Sequence, residues 1–510
     1  MGIFIDLSVS KSITLTEWAS VYQEALTLAQ KLQLAEYRNV EIGGVPIRCL
    51  AVTQERSEYY GTWEKKLWTG FNIDGDYATM ETGEDNGLPK ELGDASSDGE
   101  PLDAMLETFC SFKEGKKPQE FYSLLGAKTQ GYAHHIPLLA VCCLIQDRLG
   151  DQAYVYGDIN AGQCRRAVKL ANEHLERPIS VPDTCDPERM LRRLQRLALP
   201  DDKRLELLDW AYLGKKDAAF GDAMRRVSGE AECYRMWEAR FQDCPTGSRG
   251  FQKQLTEYLN TGFDLERLCR FYPFQVDDEK DERRDFVQTL LETGLCDENP
   301  KKIHDPMAPD REEPYGVSAL FAHFLGAAAR GQISCYLPPE ECRALLKRCL
   351  DCPDTVDECF AAWQEEKASA QAVEKDEPVA EQAEEAYDVT DDDELLGFCK
   401  GDRIHPKLLE SIQDYFCFYE GLSEETYYAE LREKGVEACF RFLAAQCQLL
   451  SLRDRDWERI WETLQQDPDS FARYYPAARV RFTSNAVAFL VRAILVNDDF
   501  YALLRGEQSV

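Results

Sequence analysis

Residues Ala133 to Pro178 leave a chain of this kind little choice. Leu138 to Ile145 is an unbroken apolar run. Pro137 stands where the first turn of a helix tolerates it, and Gly150 where the chain leaves one. A helix apolar on every side has to be buried on every side. Ala153-Tyr154-Val155-Tyr156 follows, with side chains of strand type, and Gly157-Asp158-Ile159 ends it. Asn160 can cap the next helix, and Gln163 stands three residues later, as in a capping box. Cys164, Ala167, Val168, Ala171 and Leu175 then share one helical face. Helix, strand and helix in succession build a layered core.

The flanking sequence predicts an α+β fold. Ile3, Ile5, Leu7 and Val9 alternate with more polar residues, as a half-buried strand requires. Thr14 and Glu17 form a capping box, with Ile13 placed to staple onto Trp18. Residues 40–42 and 45–52 flank Gly43-Gly44 and read as a hairpin. The aromatic residues between Tyr59 and Tyr77 read as sheet core in preference to a stacking platform. Asn72, Asp74 and Asp76 open like a calcium loop. The required glycine and glutamate are Tyr77 and Gly83, however, so a solvated acidic turn is expected. Residues 81–100 read as loop. From Asp186-Pro187 onward the periodicity is helical. Residues 365–394 hold thirteen acidic side chains and two lysines, a composition that cannot form a core. The expected organisation is an α/β domain over 1–180, a helical domain over 181–363, an acidic disordered linker over 364–394 and a C-terminal helical domain over 395–510.

Charge and cysteine usage narrow the function classes. The net charge of -33 disfavours general binding to nucleic acid or anionic membrane. The apolar runs fall short of the ~20 residues that cross a bilayer. The 19 cysteines are scattered, and Cys142 and Cys143 are adjacent within a buried helix, which points to reduced thiols and a cytoplasmic protein. The chain opens as a strand, not as a secretory signal, and Asp6 breaks a myristoylation motif at Gly2.

Three groups could carry chemistry. Cys164 lies near a helix N-terminus beside Arg165 and Arg166, features that activate a thiol, with His134, His135 or His174 as possible bases. Its place on the apolar stripe favours a core cysteine. Asp158, Asn160 and Gln163 follow a strand's carboxyl end, where open α/β sheets bind ligands and helix N–H groups hold anions. A turn carboxylate is the simpler reading. Arg189, Arg192, Arg193 and Arg196 crowd one helix and suggest a face for an acidic partner, against a default of solvated charge.

The expected function is that of an intracellular protein-interaction or scaffold protein without an evident catalytic motif and without a cofactor. The alternatives are an enzyme or small-ligand binder using a pocket after the strand at 153–156, and a nucleic-acid-associated protein using the arginine face. Other proteins are the expected partners, a small molecule is an open one, and no membrane is expected. Cys335, Cys342, Cys349, Cys352 and Cys359 follow helical periodicity, and only Cys349 and Cys352 have the short spacing that zinc sites favour. The purified protein is therefore expected to bind no stoichiometric metal. Elemental analysis finding one zinc per chain would overturn this and point to Cys349 and Cys352.

Overall fold

The computed structural model describes residues 2–60, 66–92, 102–115, 120–242, 244–276, 281–300, 308–316, 333–376, 421, 426–447, 450–479 and 485–505. Its strands are β1 (Phe4–Ser10), β2 (Leu34–Ile42), β3 (Val45–Val52), β4 (Arg56–Tyr60), β5 (Lys66–Asp76), β6 (Thr82–Pro89), β7 (Phe121–Lys128) and β8 (Ala153–Gly157). The helices are α1 (Leu15–Lys31), α2 (Ala104–Glu114), α3 (His135–Leu149), α4 (Ala161–Asn172), α5 (Pro187–Arg196), α6 (Asp201–Ala211), α7 (Ala218–Ser228), α8 (Glu230–Gln242), α9 (Arg249–Asn260), α10 (Leu265–Phe271) and α11 (Glu282–Glu292). They continue with α12 (Pro339–Leu350), α13 (Pro353–Asp376), α14 (Thr426–Glu433), α15 (Val436–Gln446), α16 (Asp454–Gln466), α17 (Phe471–Arg479), α18 (Asn485–Val496) and α19 (Asp498–Leu504). Antiparallel sheets followed by many helices make the fold α+β. None of the described helices is long and apolar enough to cross a membrane.

The chain gathers into two compact units: Met1–Leu28 with Leu88–Ala380, and Ala29–Gly87 with Glu381–Val510. The division is therefore interleaved along the chain, whereas the sequence reading cut it consecutively near 180 and 363.

In the first unit the sheet order is β7-β1-β8, antiparallel throughout. Ile5, Leu7 and Val9 of β1 are fully buried. Helix α3 packs on β1, β8 and α4, and every side chain from Leu138 to Ile145 is buried. Each large aliphatic group so placed contributes roughly 1.5–3 kcal/mol. The Gln146 side-chain oxygen accepts from the Val155 N–H at 2.8 Å, fixing α3 to β8. The capping box at the start of α1 forms as expected: Thr14 N–H donates to Glu17 Oε2 and Glu17 N–H to Thr14 Oγ1, at 3.0 and 3.2 Å. Helices α5 to α13 then pack on one another, both between neighbours such as α6 and α7 and between separated pairs such as α10 and α12, around an aromatic core that holds Trp237, Phe241, Phe251 and Tyr258. Helix α13 runs on to Asp376, so the first part of the expected linker is helical; its residues from Gln364 are mostly good helix formers. Residues 377–394 lie outside the described residues.

In the second unit β3-β2-β5-β4 form a sheet, and β6 pairs with β5. The hairpin turn has positive φ at both Gly43 and Gly44, 57° and 74°, as a type I′ turn demands. A Cβ on Gly43 would meet the Trp461 ring at 2.5 Å. The sheet's apolar face, including Ile42, Val45 and Ile47, is covered by Phe440, Leu443, Trp457 and Ile460 from the C-terminal helices. Residues 82–89 are thus a strand rather than the expected loop. Asn72, Asp74 and Asp76 are not a solvated turn either: they alternate along β5, share one face and are buried.

Those buried groups make the second unit pH-sensitive. Glu36, also buried, accepts from Arg38 Nε at 2.6 Å and pairs with Arg56 at 3.7 Å. Asp74 accepts the Tyr37 N–H at 2.6 Å, is in hydrogen-bond contact with the Asp85 carboxyl, and also faces Glu36. Burial first, then those carboxylates, push Asp74 up to about 7 from an ordinary 3.8. The folded form then holds a proton that the unfolded chain releases. This stabilising contribution is complete below pH 3.8 and is lost as pH rises through about 7. At ~1.4 kcal/mol per unit, its loss between pH 5 and 7 costs up to about 3 kcal/mol. Asp74→Asn is expected to melt progressively higher than wild type as pH is raised from 5 to 8. Thermal melts that move in parallel across that range would refute the assignment.

Candidate functional site

Helix α4 starts where β8 ends, and its first turn forms as the sequence predicts: Asn160 Oδ1 accepts from the Gln163 N–H at 2.8 Å. The reciprocal half of the capping box does not form. Gln163 Nε2 donates instead to the Glu313 carbonyl at 3.1 Å. Residues 308–316 lie across this helix end. Asn160 Nδ2 donates to the Ala308 carbonyl at 3.1 Å and to the Tyr315 hydroxyl at 2.6 Å, and the Gly162 N–H to the Pro309 carbonyl at 2.9 Å. The Ala161 N–H goes to the Leu213 carbonyl at 3.0 Å. A Cβ on Gly162 would meet the Arg311 carbonyl at 2.4 Å, and one on Gly131 the Tyr315 carbonyl at 1.9 Å. The two glycines admit this strap of chain, and the donors expected to hold a ligand hold the protein's own carbonyls. Asp158 is apart from them. Its carboxylate accepts from the Phe4 N–H at 2.9 Å and closes the β1–β8 ladder, and burial raises its pKa.

His134 and His135 are buried, with His135 Nδ1 2.6 Å from Thr129 Oγ1 and its ring near the Gln163 side chain. Burial lowers them to about 3 and 4, so both imidazoles are neutral at physiological pH. Cys164 is fully buried and lies in a row of three thiols between Cys143 and Cys185. Contact with the Cys143 thiol and burial hold it protonated, well above the usual thiol range. The Arg165 charge opposes this only weakly.

The four arginines of α5 do not form one face. Arg193 is 1% exposed. Its guanidinium makes a two-pronged contact with Asp103, Nε to Oδ2 at 2.8 Å and Nη2 to Oδ1 at 3.0 Å, and reaches the Asp151 carbonyl at 3.3 Å. Burial disfavours its charge, and the carboxylates of Asp103, Asp151 and Asp183 together more than offset this. Asp103 also caps α2, accepting from the Leu106 N–H at 3.0 Å. Arg196 pairs with Asp151 at 2.7 Å, Arg189 with Asp183 at 2.7 Å, and Arg192 is exposed. The spacing of the arginines is visible in the sequence. The burial of Arg193 is not, because its partner Asp103 lies 90 residues earlier.

Two of these arginines line a small cleft of about 90 Å³ with Gln146, Asp147, Asp151 and Asp183, and Cys143 lies at its wall. It opens beside Gly150 and Asp151, ahead of β8, whereas the sequence reading looked past the strand's far end. Asp158, Asn160, Gln163 and Cys164 are not among its lining residues. Two guanidinium groups among three carboxylates suit a zwitterionic or polar guest better than a simple anion. Among the described residues no group of histidine, cysteine and acidic side chains is arranged to hold a metal.

Arg193→Ala leaves Asp103 buried without its cation and is expected to cost about 3–5 kcal/mol. Arg192→Ala, one residue away but exposed, is expected to stay within about 0.5 kcal/mol of wild type. Urea denaturation of both variants checks the contrast; equal costs would place Arg193 at the surface.

Comparison of the chain with family models, curated proteins and solved structures gives no match.

Proposed function

We propose that this chain is an intracellular protein-interaction or scaffold protein. One observation carries the reading. Phe112 of α2 is 68% exposed, and its ring lies 5.9 Å from that of Trp210 of α6. Phe109 backs the same tryptophan at 5.5 Å and is itself buried. Lys113, Lys203 and Glu206 ring the patch, with Lys113 3.7 Å from Glu206. An aromatic anchor set in a packed base and bordered by charge is the usual make-up of a protein-binding hot spot. Unbridged thiols in mutual contact, Cys143 with Cys164 and Cys164 with Cys185, support a reducing compartment.

The cleft beside α5 favours a second reading, a binder of a small polar ligand, since it gathers Arg189 and Arg193 with Asp147, Asp151 and Asp183. The two readings part in one experiment: purification from the native host with mass analysis of co-purifying proteins and small molecules, repeated with Phe112→Ala. The interaction reading expects protein partners that the variant loses while its melting temperature holds. Partners retained at full yield by Phe112→Ala would refute the assignment to this patch. A small molecule released on denaturation, unaffected by the substitution, would favour the second reading.

A further inference from the structure

Cys296 and Cys342, which do not line the cleft, make up a second group of thiols. The Leu337 N–H donates to the Leu295 carbonyl at 3.0 Å, which ties the turn after α11 to the chain entering α12. That tie sets Cys296, just past α11, against Cys342 in the second turn of α12. The two thiols are in hydrogen-bond contact, and both are buried, at 3% and 0% exposure. Lys367 of α13 reaches the same place. Its ammonium forms an ion pair with Asp297, lies 4.2 Å from the centre of the Trp363 ring, and acts electrostatically on Cys296. Among the described residues no cation acts on Cys342, which besides Cys296 faces the Cys269 thiol.

We propose that Cys296 and Cys342 form an oxidation site for hydroperoxides, with Cys296 as the attacking thiol, Cys342 as the resolving one and Lys367 as a positioning residue. The contact with Cys342 and the Lys367 charge both favour the Cys296 thiolate, against the opposing effect of burial. Thiolates, not thiols, attack peroxide. The Cys296 sulfur attacks one peroxide oxygen and the O–O bond breaks. The other oxygen leaves with a proton as water, or as the alcohol of an organic hydroperoxide, and Cys296 becomes a sulfenic acid. The Cys342 sulfur then attacks the Cys296 sulfur. The S–O bond breaks, and the hydroxyl leaves as water with the Cys342 proton. Two thiols and one hydroperoxide thus give one disulfide, one water and one water or alcohol. The bridge would join the two ends of the segment that carries 308–316, the strap across the start of α4. This inference does not rest on the proposed function.

The test uses the full chain, fully reduced and then titrated with hydrogen peroxide at neutral pH, with peptide mapping under non-reducing conditions. The expected first product is a disulfide between Cys296 and Cys342, formed before any other cysteine of the chain is oxidised. Cys342→Ser, checked for folding by its melting curve, should instead accumulate a sulfenic acid at Cys296 that a 1,3-dione probe captures. Lys367→Gln, checked for folding by its melting curve, should slow bridge formation several-fold. First oxidation elsewhere, irreversible oxidation of Cys296 with no bridge, or an unchanged rate in Lys367→Gln would each overturn the proposal.

Discussion

Helix α3 has no face that can meet water over Leu138 to Ile145, and much of the first unit follows from that. Such a helix is stable only when something covers each of its sides. The antiparallel sheet covers one side and α4 another. Gln146, placed to be lost inside this core, is used to bind the β8 backbone, so the one large polar group at the end of the run becomes a fastener. Cys142, Cys143 and Cys164 are in the core for the same reason that the leucines are. They are small, apolar enough and well packed.

The parts of the fold that were legible in the sequence are those set by local periodicity. The alternation at Ile3 to Val9, the capping box at Thr14 and Glu17, the Gly43-Gly44 hairpin and the Asn160 cap all rest on residues within a few positions of one another. What was illegible depends on partners distant in sequence. Asn72, Asp74 and Asp76 look like a polar turn until β2 supplies Glu36 and the Tyr37 N–H beside them. Arg193 looks like a surface arginine until Asp103 arrives from α2. Gln163 looks like a capping-box member until Glu313 offers a carbonyl 150 residues on. In each case local chemistry gave a reasonable answer and tertiary partners replaced it.

The candidate site was half visible for the same reason. The first turn of α4 is built as expected, but its donors are filled from within the chain, so the place the sequence marks for a ligand is a structural joint. The cleft lies nearby yet uses the other end of β8. No motif could have announced it, because it is assembled from the end of α3, the turn before β8, residues 180–183 and α5.

The interleaving of the second unit has a consequence for synthesis on the ribosome. Its sheet is complete by Pro89, but the described helices that cover the sheet's apolar face begin at Thr426. At ~5–20 residues per second, the hairpin emerges roughly 20 to 70 s before those helices are made. During that interval Ile42, Val45, Ile47 and Leu50 lack the helical cover of their mature core, on strands whose ladder edges can pair with other chains. The first unit can be almost wholly translated in the same interval. A cell making this protein therefore has to shelter one short β-hairpin for most of the time the polypeptide takes to be born.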